Sequence, residues 1–370
     1  MTRLASSSVA SFSVASLSLT LLALPLALAG CEGDPMPGPT ADAYVPPGVD
    51  ASLDAPVIST VDAPWVGPMS ELVDPMCIDG MYRETLPDRS ASIDDLIASY
   101  SPADAEAFVQ AVLERRYPHG WTLVREGREG FIDCLMTFLS NRGTAEGVLQ
   151  DLGTVVHECG HVYDLGLSSG PNNVYAIRAD LMMTAAGGDS TARGGQTFAR
   201  SLIRADAYQA MRPPCTAGMF RGCDGYADIY LDGDPTDGNF ESGDQGFNLL
   251  LEEVVQYSNS LALGYAVPDR FSGGQSVSDR DGMLTFLWYM TRFLRLARTE
   301  HPSAYAHIAT GDGGRWRRLV LTIWGRAWLY LEATEDLAGL GIDDDALMPL
   351  ATAPELVAEI DMLRDAEGCP

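Results

Sequence analysis

The sequence predicts an α+β domain, mainly α-helical with a small sheet, over residues 75–370. Three observations predict it: long stretches with apolar residues at helical spacing, an apolar fraction of 46% against 20% charged, and only three short runs of strand character. Two helical patterns come first, Ser92 to Tyr100 and Pro102 to Arg116, the second with Ser101 as N-cap, Pro102 at the first helical position and Asp104 in the first turn. Pro118 is expected to stop it. The strand-like runs are Trp121 to Val124, Val174 to Ile177 and Tyr226 to Tyr230, and the Gly-rich stretch Gly187 to Gly195 reads as a loop. Between them Gly147 to Leu167 carries Val148, Leu149, Leu152, Val155 and Val156 on one helical stripe. Further amphipathic patterns cover Phe247 to Leu263, Gly282 to Ala297, Trp316 to Leu331 and Pro354 to Arg364. Aromatic positions such as Phe286, Trp288, Trp316 and Trp324 read as core.

Residues 1–30 stand apart from this domain. Arg3 precedes an uncharged apolar run, Val14 to Ala29, which is shorter than the roughly twenty residues that cross a bilayer. It ends in Leu28-Ala29-Gly30-Cys31, which resembles the lipobox of bacterial lipoproteins. That resemblance implies removal of residues 1–30, lipidation of Cys31, and a soluble body tethered to the cell envelope, facing periplasm or exterior. Residues 31–74 are dense in Pro, Asp and Ala without periodicity, and read as a self-repelling tether; the alternative is a strap whose end Trp65 and Val66 anchor.

Arginine supplies all 24 basic residues against 51 acidic ones, a net charge of -27. A nucleic-acid partner is excluded, because phosphate neutralisation needs a basic face. Six cysteines besides Cys31, in an exported chain, are expected to form disulfides. Only Cys215 with Cys223 is close enough for a local pairing; sequence leaves the partners of the other four open. No Cys-x-x-Cys spacing is present, so neither a thiolate metal site nor a thioredoxin-type site has support.

The chemistry concentrates in His157-Glu158-Cys159-Gly160-His161. Residues four apart on a helix share a face, so both imidazoles can reach one metal ion while Glu158, next to the first, faces a metal-bound water. Gly160 leaves room for another element to approach closely. Here the sequence resembles the zincin metallopeptidases, whose active-site helix carries this HExxH pattern. The resemblance implies a zincin-like fold, a Zn²⁺ cofactor, hydrolysis of a peptide or protein substrate, and Glu158 as the catalytic base. Metzincins are excluded, since Asp164 and Leu167 stand where that pattern needs Gly and His.

A carboxylate third ligand is then required. Glu252-Glu253-Val254-Val255-Gln256 resembles the second motif of gluzincins, registered on Glu252, with Gln256 in place of the usual Asp. Glu252 is thus the expected ligand beside His157 and His161; Glu253 is the alternative, and Asp180 or Asp189 a further one. Asp164 is a candidate to orient a ligand imidazole, equally a capping or surface residue. Tyr226, Tyr230 and Tyr257 are candidates by residue type for a transition-state donor, since Ser242 to Leu251 holds no Tyr. His119, His301 and His307 read as structural. The acidic stretch Asp232 to Asp244 fails the EF-hand register, with Asp237 where the turn Gly is needed, and reads as a solvated loop. Two other function classes stay open: a catalytically silent zincin-like lipoprotein used for binding, and metal-assisted hydrolysis of a non-peptide amide or ester.

Overall fold

The computed structural model describes residues 65–187, 223–224, 246–268, 277–337 and 339–370, all within the compact unit formed by Val61–Asp237 and Glu241–Pro370. Residues 1–64, with Cys31 and most of the segment read as a tether, lie outside the described residues, as do Cys215, Asp189, Tyr226, Tyr230 with its strand-like run, the acidic stretch Asp232 to Asp244 and most of the Gly-rich stretch.

Among the described residues the protein is mainly helical with one two-stranded sheet. Short helices α1 (Ile78–Met81) and α2 (Asp94–Ala98) lead into a 3-10 turn (Pro102–Asp104) and α3 (Ala105–Arg116). Ser101 caps the turn as expected, its hydroxyl accepting from the Ala103 N–H at 3.3 Å. Pro118 does not leave a gap. It occupies the first position of α4 (Pro118–Arg128), so the run Trp121 to Val124, expected as a strand, is helical. A proline whose N–H would have no intrahelical partner ends one helix and starts the next at no cost in hydrogen bonds.

After α5 (Cys134–Phe138) comes α6 (Ala145–Leu167), which carries the HExxH residues. Thr144 caps it, its hydroxyl accepting from the Gly147 N–H at 3.0 Å. The stripe Val148, Leu149, Leu152, Val155 and Val156 is buried. The hairpin β1 (Asn172–Arg178) and β2 (Leu181–Ala186) follows, antiparallel, with Val174 opposite Thr184 and an irregularity between Ala176 and Arg178. The strand expected at Val174 to Ile177 thus lies in β1.

The remaining helices are α7 (Phe247–Ala266), α8 (Asp279–Glu300), α9 (Pro302–Ala309), α10 (Arg315–Ala333), α11 (Asp344–Ala351) and α12 (Pro354–Glu367). Helix α7 packs on α6, α8 and α10, and is buried along its length except at Tyr257 and Tyr265. Trp288, Trp316, Trp324, Phe247 and Phe286 fill the core around it. A helix buried on every side lies at the centre of a layer.

Residues 65–74, expected as the end of the tether, pack on the domain instead. Val66 exchanges backbone hydrogen bonds with Glu84 at 3.0 and 2.9 Å, and the Arg178 guanidinium sits 4.7 Å over the Trp65 ring. The Leu72 carbonyl accepts from Trp324 Nε1 at 2.8 Å and from Arg364 Nη2 at 2.7 Å. Disulfides Cys77–Cys369 and Cys134–Cys159 account for the four cysteines that sequence left unpaired. Cys223 is also disulfide-bonded.

Candidate metal centre

His157 and His161 project one turn apart from the same face of α6 onto α7, each ring mostly buried, with 12% and 14% of its side chain exposed. Gly160 makes room for the Gln256 amide of α7: a Cβ there would stand 1.9 Å from Gln256 Oε1, so a larger residue at 160 would displace that amide.

Each imidazole is held from behind by α7. His157 Nδ1 lies 3.1 Å from Ser260 Oγ, and that hydroxyl donates its own proton to the Gln256 carbonyl at 3.2 Å. Ser260 therefore accepts from His157 Nδ1–H. His161 Nδ1 lies 3.3 Å from Glu252 Oε1, a carboxylate that can only accept. In neutral rings with both protons on Nδ1, both Nε2 atoms are bare lone pairs, and they stand 3.1 Å apart. The third atom of this group is Glu253 Oε2, 3.4 Å from His157 Nε2 and 3.5 Å from His161 Nε2.

Three acceptors converge with no donor among them, and Glu253 Oε2 is buried without a hydrogen bond. Such a group fits a cation. Ligand atoms about 2.05 Å from a tetrahedral zinc ion stand about 3.3 Å apart, which is the edge length of this triangle. His157, His161 and Glu253 are the residues that could hold a metal ion here.

Glu252, the ligand expected from the second motif, faces the opposite side of His161 and supports the ring rather than completing the triangle. The reason is helical geometry: consecutive residues diverge by about 100°, so one of the pair reaches the Nε2 side and the other the Nδ1 side. Glu158 sits beside His157, half-buried, with no hydrogen bond or ion pair among the described residues. Tyr257, one turn after Glu253, lays its ring edge-on to His157 with centroids 4.7 Å apart, and stacks on Phe286 at 5.3 Å. No family model, curated protein or solved structure matches this chain.

The other residues singled out by sequence lie elsewhere. Asp164 is fully buried but supports the frame: Oδ1 accepts from the Ala176 N–H at 3.0 Å and Oδ2 from Gln256 Nε2 at 3.1 Å. Asp180 lies in the hairpin turn, paired with Arg178 Nε at 2.5 Å. His119 is buried against the Tyr117 ring, and His307 Nε2 lies 3.2 Å from the Ala186 carbonyl. The sequence reading missed Ser260 and Gln256 as supports. Their signal is the ladder Glu252, Gln256, Ser260, polar residues one turn apart on a helix that is buried nearly all round.

Electrostatics agree with a cation site. Burial depresses the His161 pKa, but the Glu253 and Glu252 carboxylates outweigh it and raise the value well above that of free histidine. Burial likewise opposes ionisation of Glu253, and the two imidazoles outweigh it, holding its pKa below the usual range. Without a metal, a proton is drawn to the place where three acceptors meet. Burial and the neighbouring Glu252 push Asp164 well up.

Proposed function

We propose that this protein is a zinc-dependent metallopeptidase, lipid-anchored to the cell envelope through Cys31. The observation that carries the reading is the acceptor triangle of His157 Nε2, His161 Nε2 and Glu253 Oε2, with edges of 3.1, 3.4 and 3.5 Å, next to a half-buried carboxylate at Glu158. Two nitrogens and one carboxylate oxygen are the donor set of a hydrolytic zinc site that keeps a position open. Zinc bound there would lower the pKa of water to about 7 and polarise a scissile carbonyl.

The chain's own residues do the rest. His157 and His161 keep their Nε2 lone pairs inward because Ser260 and Glu252 hold the Nδ1 protons outward. Glu158 Oε takes the proton of the attacking water and returns it to the leaving amine nitrogen. Tyr257, whose ring edges His157, is the nearest described candidate to donate a hydrogen bond to the developing oxyanion. The peptide-hydrolysing activity rests on the HExxH resemblance together with this arrangement. Among the described residues no helix is long and apolar enough to cross a membrane, and the proposed membrane attachment is through the lipid.

The test is metal analysis of the purified protein combined with cleavage of a peptide library, with and without chelator. Glu158→Gln should reduce turnover by about 10²–10⁴-fold while the bound zinc stays at one equivalent. Wild-type protein that holds zinc but cleaves neither peptides nor esters would instead be a binding lipoprotein with a silent site.

A further inference from the structure

A chain of buried hydrogen bonds runs from an ion pair between Arg326 of α10 and Glu84 to the back of His161. Arg326 pairs with Glu84 through Nε to Oε2 at 3.0 Å, both side chains buried. Its Nη2 donates to the Tyr117 hydroxyl at 3.4 Å, and that hydroxyl donates to Asn259 Oδ1 at 3.0 Å. Asn259 Nδ2 donates to Gln256 Oε1 at 2.8 Å, and Gln256 Nε2 donates to Glu252 Oε1 at 3.0 Å. Glu252 Oε1 is the atom that receives His161 Nδ1.

Every donor along this path points the same way, towards Glu252. The direction is fixed at each end. Arginine can only donate, and a carboxylate can only accept. A reversed Gln256 amide would set its carbonyl against the Glu252 carboxylate and its N–H protons against those of the Asn259 amide. Burial also holds the Tyr117 pKa above that of a free phenol, so its single proton stays available for Asn259. Aligned donors in a dry interior polarise one another, so the chain aims more firmly at Glu252 than its last link would alone. The other tautomer of His161 would turn a bare Nδ1 against Glu252 and put a proton, not a lone pair, on the Nε2 side where a metal would bind.

We propose that Tyr117, Asn259 and Gln256 are positioning residues for the metal centre: acting through Glu252, they carry the polarity of the Arg326–Glu84 pair to His161 and fix it with its proton on Nδ1 and its lone pair on Nε2. This rests on the metal-centre reading above. None of the three touches an atom of the acceptor triangle. Each also contributes to packing, so stability alone cannot reveal the role.

The test compares two tyrosines that touch the same ion pair. Tyr117 lies on the path to Asn259, whereas Tyr330 donates only to Glu84 Oε1, at 2.8 Å. Tyr117→Phe and Tyr330→Phe in the full chain each remove one buried hydroxyl and should lower Tm comparably. Zinc affinity, measured by chelator competition well below the unfolding transition, should fall about tenfold in Tyr117→Phe and stay at the wild-type value in Tyr330→Phe. Unchanged affinity in both variants overturns the relay and leaves the metal centre standing. Wild-type protein that binds no zinc overturns both. Should Tyr117→Phe not fold, Asn259→Leu, which breaks the path one link later, takes its place: a zinc affinity about tenfold below wild type supports the relay, and an unchanged affinity refutes it.

Discussion

Glu252 and Glu253 are neighbours in sequence with opposite duties. Both are buried, at 3% and 5% exposure, so neither is a solvated surface carboxylate, and each has a histidine nitrogen to face. Glu253 Oε2 sees two bare Nε2 atoms, whereas Glu252 Oε1 sees one protonated Nδ1 and the Gln256 amide. Removing a ligand and removing its support should therefore differ in degree. Glu253→Ala is expected to abolish stoichiometric zinc binding, and Glu252→Ala to weaken it about 10–100-fold while leaving one equivalent bound at saturating metal. Isothermal titration of both variants checks this, and the reverse order would return Glu252 to the ligand set. Gly160 belongs to the same contact, because the Gln256 amide occupies the space a side chain would need.

The helices were readable because their apolar spacing survives in one strand of sequence. Patterns at Gly147 to Leu167, Phe247 to Leu263 and Pro354 to Arg364 correspond to α6, α7 and α12 with ends shifted by a few residues. Trp121 to Val124 misled because bulky and β-branched residues favour strands locally, while packing against α6 decides otherwise. There the α4 backbone comes so close that a Cβ on Gly127 would stand 2.4 Å from the Cys159 carbonyl. The HExxH face was legible for the same reason as the helix, since four-residue spacing is a local property. The third ligand was not, because Glu252 and Glu253 are both buried in α7, and which of two neighbouring carboxylates meets the Nε2 side is set by how α7 docks on α6. Pairing of Cys159 with Cys134 was likewise beyond local pattern, being set by how α5 docks.

That disulfide fastens α6 from behind. Cys159 lies two residues from each histidine, about 200° around the helix, so it cannot join the acceptor triangle. Closing a loop of sequence separation 25 contributes about 3.5 kcal/mol in the chain-entropy model. A Cys134→Ser, Cys159→Ser protein should lose several degrees of Tm yet keep zinc affinity within about threefold, measured at a temperature where it is fully folded. A large loss of affinity in the folded variant would mean that α5, not α7 alone, sets the ligand geometry.

For the molecule as a whole, α6 and α7 are joined by three kinds of link: packing at Gly160, the hydrogen bonds of Glu252, Gln256 and Ser260, and, in the proposed holoprotein, an ion shared by His157, His161 and Glu253. The last link competes with protons. In metal-free protein the His161 pKa is raised over its unfolded value near 6.5, so its contribution to stability is complete below that pH and is lost as pH rises through the folded value. Asp164, also raised, acts in the same sense, so the decline in the chelated protein belongs to both groups. Metal binding requires neutral imidazoles and therefore strengthens as pH rises. Calorimetry with zinc and with chelator, over a series from pH 5.5 to 8.5, should accordingly show two opposed trends. The chelated protein's Tm declines, and the increment supplied by zinc widens. With zinc at about 100 times its Kd the increment is about 2.7 kcal/mol, several degrees for a domain of this size. An increment that is flat with pH would show that zinc, if bound, is held by groups other than these two histidines, and the hydrolase reading would lose its support.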